Sequence, residues 1–309
     1  MTSGQVAAGG GVAVTGGSPT GVSGGEPVLG GAPVSGAVPA ERGGQSDGRQ
    51  RLGAVAGTGL GMAVLWLSIL VLLPLAAVVV KATGGGWSGF WQAISSQEAV
   101  TSIEFTVAAS AGVALVNAVM GTLIAWVLVR DRFPGKRLLE VVIDIPFALP
   151  TIVAGLVMLT LYGQHSPIGL DLYATRPGVL VALLFVTLPF VVRTTQPVLL
   201  ALETDVEEAA ASLGANGYTV FRRIVLPSIG PAIASGTALA FGRAMGEYGS
   251  VILIAGGLSR TEVSSQYIYA QFQDGYLSDA AAAATVLLLV SVIVLSLLSA
   301  FQHRQVRRG

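Results

Sequence analysis

An all-α membrane protein with six transmembrane helices is the fold class this sequence predicts, and three observations carry that prediction. Of 309 residues, 52% are hydrophobic and only 11% charged, where a soluble domain carries about 25% charged residues. The mean hydropathy is +0.72. The apolar residues gather in long runs rather than at scattered positions, and lipid forces a spanning backbone to satisfy its polar groups internally, as a helix. No ten-residue alternating pattern argues for a barrel.

The same composition narrows the chemistry. Net charge is zero, so no global field recruits nucleic acid, and none is expected as a partner. There is no cysteine, which excludes disulfides, thiolate nucleophiles and cysteine metal sites. The two histidines, His165 and His303, lie far apart in sequence. A metal or haem site on paired imidazoles is therefore not expected.

Residues 1–52 are Gly, Val, Ala, Ser and Pro without apolar periodicity. Such a segment cannot bury enough surface to offset its ordering entropy, so it reads as a disordered tail. A basic region followed by an apolar block is missing there, so it does not read as a cleavable signal. The six-helix transmembrane domain is expected over 53–302, with a basic tail at 303–309. The expected spans are 57–80, 105–129, 141–163, 178–200, 228–257 and 279–301, each near the ~20 residues a spanning helix needs. The fourth is interrupted by Pro189, Arg193 and Pro197.

Lysine and arginine set the orientation. With six spans, one side holds Arg42, Arg49, Arg51, Arg130, Arg132, Lys136, Arg137, Arg193, Arg222, Arg223, Arg304, Arg307 and Arg308; the other holds Lys81, Arg176 and Arg260. The positive-inside rule then places both termini, and the fourth loop, in the cytoplasm.

That loop, residues 203–227, is the polar exception in an apolar chain. Thr204 followed by Glu207 is a capping-box pattern, and Asp205, Glu207 and Glu208 suit a helix N-terminus. Val206, Ala209, Ala210 and Leu213 share one face of a short helix. Gly214 sits where a left-handed cap would end it. A second short helix, with Tyr218, Phe221, Ile224 and Val225, is expected to close at Pro227. Physical chemistry alone leaves two roles open: a segment lying on lipid headgroups, or an element that docks on a protein.

The spacing adds a resemblance. Glu208-Ala209-Ala210, then Gly214, then Ile224, Leu226 and Pro227, occupy every position of the signature of ABC-importer permease subunits. The resemblance implies a type I ABC-importer permease-like bundle. It also implies that Glu207, Glu208, Ala209, Ala210, Gly214, Ile224, Leu226 and Pro227 form a coupling helix seated in a cytoplasmic ATPase subunit. Residues 144–163, 241–257 and 261–289 further resemble the sulfate and molybdate branch, above all the sulfate/thiosulfate permeases of the CysT type. That resemblance implies a transport subunit in the cytoplasmic membrane of a prokaryote. Two ATPase subunits, a second homologous permease chain and an extracytoplasmic sulfate-binding protein would work with it. A molybdate or tungstate permease is the alternative, and a secondary transporter a more distant one.

This chain has no GxxxxGK[ST] pattern; Gly135-Lys136 lacks the upstream glycine and the following Ser or Thr. It is expected to bind no cofactor and to hydrolyse nothing itself, with ATP and magnesium used by the partner ATPase. Arg243 and Glu247 fall in the fifth expected span at i, i+4. Either they pair to lock packing, or Arg243 offers positive potential to an anion on the path. Thr237 and Ser250 are candidate hydroxyls on that path, although hydroxyls in membrane helices commonly bond their own backbone. Gly242, Gly246 and Gly249 read as close-packing positions. Pro146, Pro150 and Pro189 read as kinks or parts of a gate, and Asp144 as a solvated or paired helix end.

Overall fold

The structure, a computed structural model, describes residues 54–202 and 204–306. The tail expected over 1–52 and the last residues of the basic tail lie outside these.

The described residues are helical throughout, with no strand among them. Five helices are long and apolar enough to cross a membrane: α1 (Thr58–Ala82), α3 (Gln97–Arg130), α6 (Arg176–Ala201), α8 (Gly217–Met245) and α11, whose spanning part is Leu277–Ala300. A bent pair, α4 (Lys136–Ala148) and α5 (Thr151–Tyr162), turned by 117°, passes the same test only when its two halves are taken together, and makes a sixth crossing if it is one span. Shorter helices complete the fold: α2 (Gly86–Ile94), α7 (Thr204–Ser212), α9 (Gly249–Ala255) and α10 (Ser264–Gln273). Helix α11 continues to Val306, so nothing in the backbone marks a boundary at residue 302.

The third expected span is therefore broken. Leu149 precedes Pro150 and takes an extended conformation, ψ 134°, because the proline ring crowds the helical conformation of the residue before it. Pro189 and Pro197, expected to interrupt the fourth span, instead lie inside a continuous α6. Neighbouring helices enclose α6: 56% of its spanning window is buried, against 0% for α1. In such surroundings a missing backbone N–H is tolerated.

The fifth expected span also changes. Its helix begins at Gly217, well before residue 228, and stops at Met245. Gly246 ends it, and the remainder of 228–257 forms the separate helix α9. The closure expected at Pro227 does not occur, because Phe221–Val225 winds one π turn and the helix runs on.

The centre of the bundle is α3, α6 and α8, which pack on one another. Small residues bring the backbones together. A Cβ on Gly236 would lie 2.8 Å from Val191 Cα, and one on Gly155 would lie 2.7 Å from Gly249 O. Polar pins cross the same contacts. Asn117 Nδ2 donates to Thr187 Oγ1 at 2.8 Å, joining α3 to α6, and the Ser264 N–H donates to Thr106 Oγ1 at 2.7 Å, joining α10 to α3. On the side of α6 that meets α4, Arg193 Nε donates to Asp144 Oδ1 at 2.7 Å. Asp144 is thus a paired residue. Of the three glycines read as packing positions, Gly249 is one in fact, while Gly246 has open space and Gly242 only ordinary contact with Leu295.

Gly155→Val tests the α5–α9 contact. Its side chain has no room against the Gly249 and Ser250 carbonyls, so we expect a loss of about 1–3 kcal/mol. That would be seen as a lower thermal midpoint in detergent; an unchanged midpoint would show that the two helices do not meet this way.

Candidate functional site

Loop 203–227 is built by local hydrogen bonds that its sequence specifies. Helix α7 ends when Ala215 N–H bonds Ala210 O at 3.1 Å and Gly214 N–H bonds Ala211 O at 2.9 Å. This paired arrangement needs a left-handed residue, and Gly214 supplies it at φ +86°. Two residues later Asn216 caps α8, its Oδ1 accepting from Thr219 N–H at 2.8 Å. The loop is thus two helices around three tightly bonded residues. The capping box expected at Thr204 involves side chains outside the described residues.

Two contacts fasten this loop to the bundle. The Arg130 guanidinium, at the last turn of α3, pairs with Glu207. One turn back, Trp126 meets Phe221 edge to face at 5.2 Å. The Arg130 guanidinium lies 5.8 Å from the Trp126 ring centre, within cation–π range. Beneath them Ala210, Ala215, Phe221 and Ile224 pack on the buried cluster around Val220, Val225 and Ile229.

The expected site residues therefore divide. Glu207, Ala210 and Ile224 turn inward and position the loop, whereas Glu208, Ala209, Gly214, Leu226 and Pro227 are exposed. The helix face expected to hold Val206, Ala209, Ala210 and Leu213 together is split accordingly. Val206 is 47% exposed and Leu213 91%, and Tyr218 beyond the turn is 69% exposed. Exposed apolar side chains beside an exposed carboxylate mark a contact surface for protein or membrane.

The second candidate group sits at the break between α8 and α9. Arg243 Nη1 and Glu247 Oε2 form an ion pair at 2.7 Å, with the Glu247 side chain 1% and that of Arg243 34% exposed. The other Glu247 oxygen accepts from Ser250 N–H at 2.9 Å, and its backbone carbonyl accepts from Ser265 Oγ at 2.6 Å. Glu247 thus ties α8, α9 and α10 together, a packing role for the pair. Thr237 Oγ1 bonds its own helix at Ile233 O, 2.7 Å away. Ser250 is buried. Its backbone N–H, rather than its hydroxyl, makes the contact with Glu247.

Arg130, Trp126 and Asn216 were missed by sequence reasoning. Arg130 counted only toward the charge bias and Trp126 only as apolar content. Asn216 was legible, since Asn followed two residues later by an apolar periodic run is an N-cap signal.

Residues 117–308 match the family described as binding-protein-dependent transport system inner membrane component. This chain belongs to that family. Curated relatives of the inner membrane component include the sulfate transport system permease protein CysT of Synechocystis sp., 43% identical over 248 residues, covering 78% of this chain and 87% of that protein. The CysT proteins of Salmonella typhimurium and Escherichia coli are 40% and 39% identical over 257 residues, covering 81% of this chain and 93% of each. Among solved structures, a bacterial ABC transporter involved in the import of the acidic polysaccharide alginate has a chain that superposes with a TM-score of 0.68 at 18% identity, covering 81% of this chain and 95% of that one. The bacterial alginate ABC transporter in complex with alginate pentasaccharide-bound periplasmic protein gives 0.66, also at 18% identity, covering 82% and 94%. At that identity the likeness establishes the fold, a multi-pass permease bundle, and leaves the cargo to other arguments.

At the loop between α9 and α10, the Glu262 carboxyl is pushed above its ordinary value, by burial first and by the Glu98 charge second. A raised folded value favours the protonated form. That contribution to stability is present at acid pH and lost as pH rises through the raised value. We expect the thermal midpoint to fall across that window in the native chain and to stay flatter in Glu262→Gln; parallel curves would remove Glu262 from the effect. For the loop, Arg130→Ala strands Glu207, a part-buried partner, at a cost of about 1–3 kcal/mol. Hydrogen exchange should quicken in 204–216 while α3 stays protected, and unchanged exchange would show that the pair does not hold the loop.

Proposed function

We propose that this chain is the permease subunit of an ATP-driven importer of sulfate and thiosulfate. It forms the membrane path together with a second, similar permease chain. Both termini and loop 203–227 face the cytoplasm of a prokaryote, on the strength of the Lys and Arg distribution. Two ATPase subunits bind there and use ATP and magnesium; this chain, which has no phosphate-binding loop, supplies no catalytic group and binds no cofactor. An extracytoplasmic sulfate-binding protein delivers the anion. Identity of 39–43% to CysT proteins along most of the chain supports sulfate as cargo. A molybdate or tungstate cargo is the second reading, since the resemblance of 241–257 extends to the molybdate branch.

One observation supports the mechanism: the second half of the docking loop, from Gly217 onward, and the fifth span are one helix. Gly217–Met245 comprises 29 residues, about 44 Å at 1.5 Å per residue. Tyr218 and the turn at Gly214 lie at one end and the Arg243–Glu247 break at the other. When the ATPase dimer closes on Glu208, Leu213 and Tyr218, the displacement crosses the hydrogen-bonded turn at Gly214 and passes along α8. Transport is then a shift of population between two packings of the bundle.

ATP-dependent uptake into proteoliposomes holding the whole complex, with sulfate labelled and thiosulfate or molybdate competing, tests the cargo. Thiosulfate should compete and molybdate should not, and preferential uptake of molybdate would replace the first reading with the second. Gly214→Asp tests the coupling. A Cβ there meets no atom of this chain within 4 Å, so beyond about 1–2 kcal/mol of backbone strain its effect falls on the docked partner. Uptake should be abolished with membrane insertion intact, whereas normal uptake would sink the coupling role of the loop.

A further inference from the structure

We infer that α2 is an interfacial anchor, a short helix that lies in the lipid headgroup layer at the membrane face opposite loop 203–227. The sequence GWSGFWQAI places Trp87 and Trp91 four residues apart, on one side of the helix. Trp87 is 66% and Trp91 50% exposed. Their rings form a preset cluster with Phe90. Trp87 stacks on Phe90 at 5.5 Å and 13°, and Trp91 stands edge-on to Trp87 at 5.8 Å and 88°. Phe90 itself is turned inward, against Ala82 of α1 and Ala281 and Ala282 of α11.

These contacts fix the level of α2. It lies across the ends of α1 and α11, at the end of α3 remote from Arg130, and hence at the face opposite the loop. It is joined to α1 by only three residues, 83–85. The surface it presents is continuous with the lipid-facing surface of α1, whose last turn exposes Val79 (40%) and Val80 (70%). Lys81 is exposed at the same level, a cation positioned for phosphate. Tyr276 and Phe272, exposed just before α11 begins, extend the aromatic content around that end of the bundle.

Lipid headgroups fit this combination better than water or protein does. An indole has an apolar body and one N–H donor, which suits the boundary between acyl chains and glycerol or phosphate oxygens. Exposed Ser88 and Gln92 occupy another side of α2, so the helix has an aromatic side and a polar side, as interfacial helices do. The consequence is mechanical. The α1–α11 pair is pinned at one face through α2, while α8 is driven at the other.

The test uses the full chain in lipid nanodiscs, with Trp66→Phe and Trp126→Phe leaving Trp87 and Trp91 as reporters. Bromine placed near the headgroup should quench their emission about two-fold more than bromine at mid-chain, as expected for interfacial indoles. Emission at the wavelength of water-exposed indole without quenching would overturn the proposal, as would stronger quenching from mid-chain. A blue shift appearing only when the extracytoplasmic binding protein is added would assign the patch to that partner instead. If the double Phe variant does not insert, the native chain compared with Trp87→Phe/Trp91→Phe gives the same depth profile by difference.

Discussion

Between Phe221 and Leu226 the backbone of α8 widens by one residue, with Leu226 N–H bonding Phe221 O. Pro227 comes next. A proline in a regular helix lacks an N–H and collides with the carbonyl four residues back; the wider turn takes up the misfit, so the helix continues where it would otherwise end. The remainder of the molecule is organised around the rod that results. Its lower end carries the turn at Gly214, its middle packs on α3 and α6, and its upper end meets the ion pair that precedes α9. Arg130 and Trp126 hold the lower end against α3, so the loop and the bundle move as neighbours rather than as a body and a loose appendage.

The bundle is graded from centre to edge. The contacts among α3, α6 and α8 are close, made over glycine and alanine, and pinned by hydroxyl and amide groups. In lipid there is little hydrophobic gain from bringing apolar helices together, so close packing and such polar pins carry the specificity. Helix α1, by contrast, shows its side chains outward along almost its whole length and is held chiefly at its end, by α11 and α2. The first is the arrangement of a part that must keep its shape, the second that of a part whose main neighbour is lipid.

Composition and run length made the all-helical membrane fold and five of the six expected spans legible, and the turn at Gly214 followed from its spacing. The errors fell where proline was read as a local rule. Pro227 should have ended a helix and did not; Pro189 and Pro197 sit inside α6; only at Pro150, read as a kink, does the expected break occur. Which outcome prevails depends on whether neighbouring helices or a widened turn can absorb the missing hydrogen bond, and that is a tertiary fact. Spacing drew attention to loop 203–227 but could not say which of its side chains turn inward. Glu207 and Glu208 are adjacent and chemically alike, yet one is spent on Arg130 and the other faces outward, a division set by a partner 77 residues away.

Glu247 commits both of its oxygens within eight residues, to Arg243 before it and Ser250 after it. The corner between α8 and α9 is thereby held in part by the segment itself, with the Ser265 hydroxyl on the Glu247 carbonyl and α5 against Gly249 adding to it. Such a corner behaves as a welded joint. Separating α8 from α9 would strip the buried Glu247 carboxylate of its partners, and an uncompensated buried charge is costly.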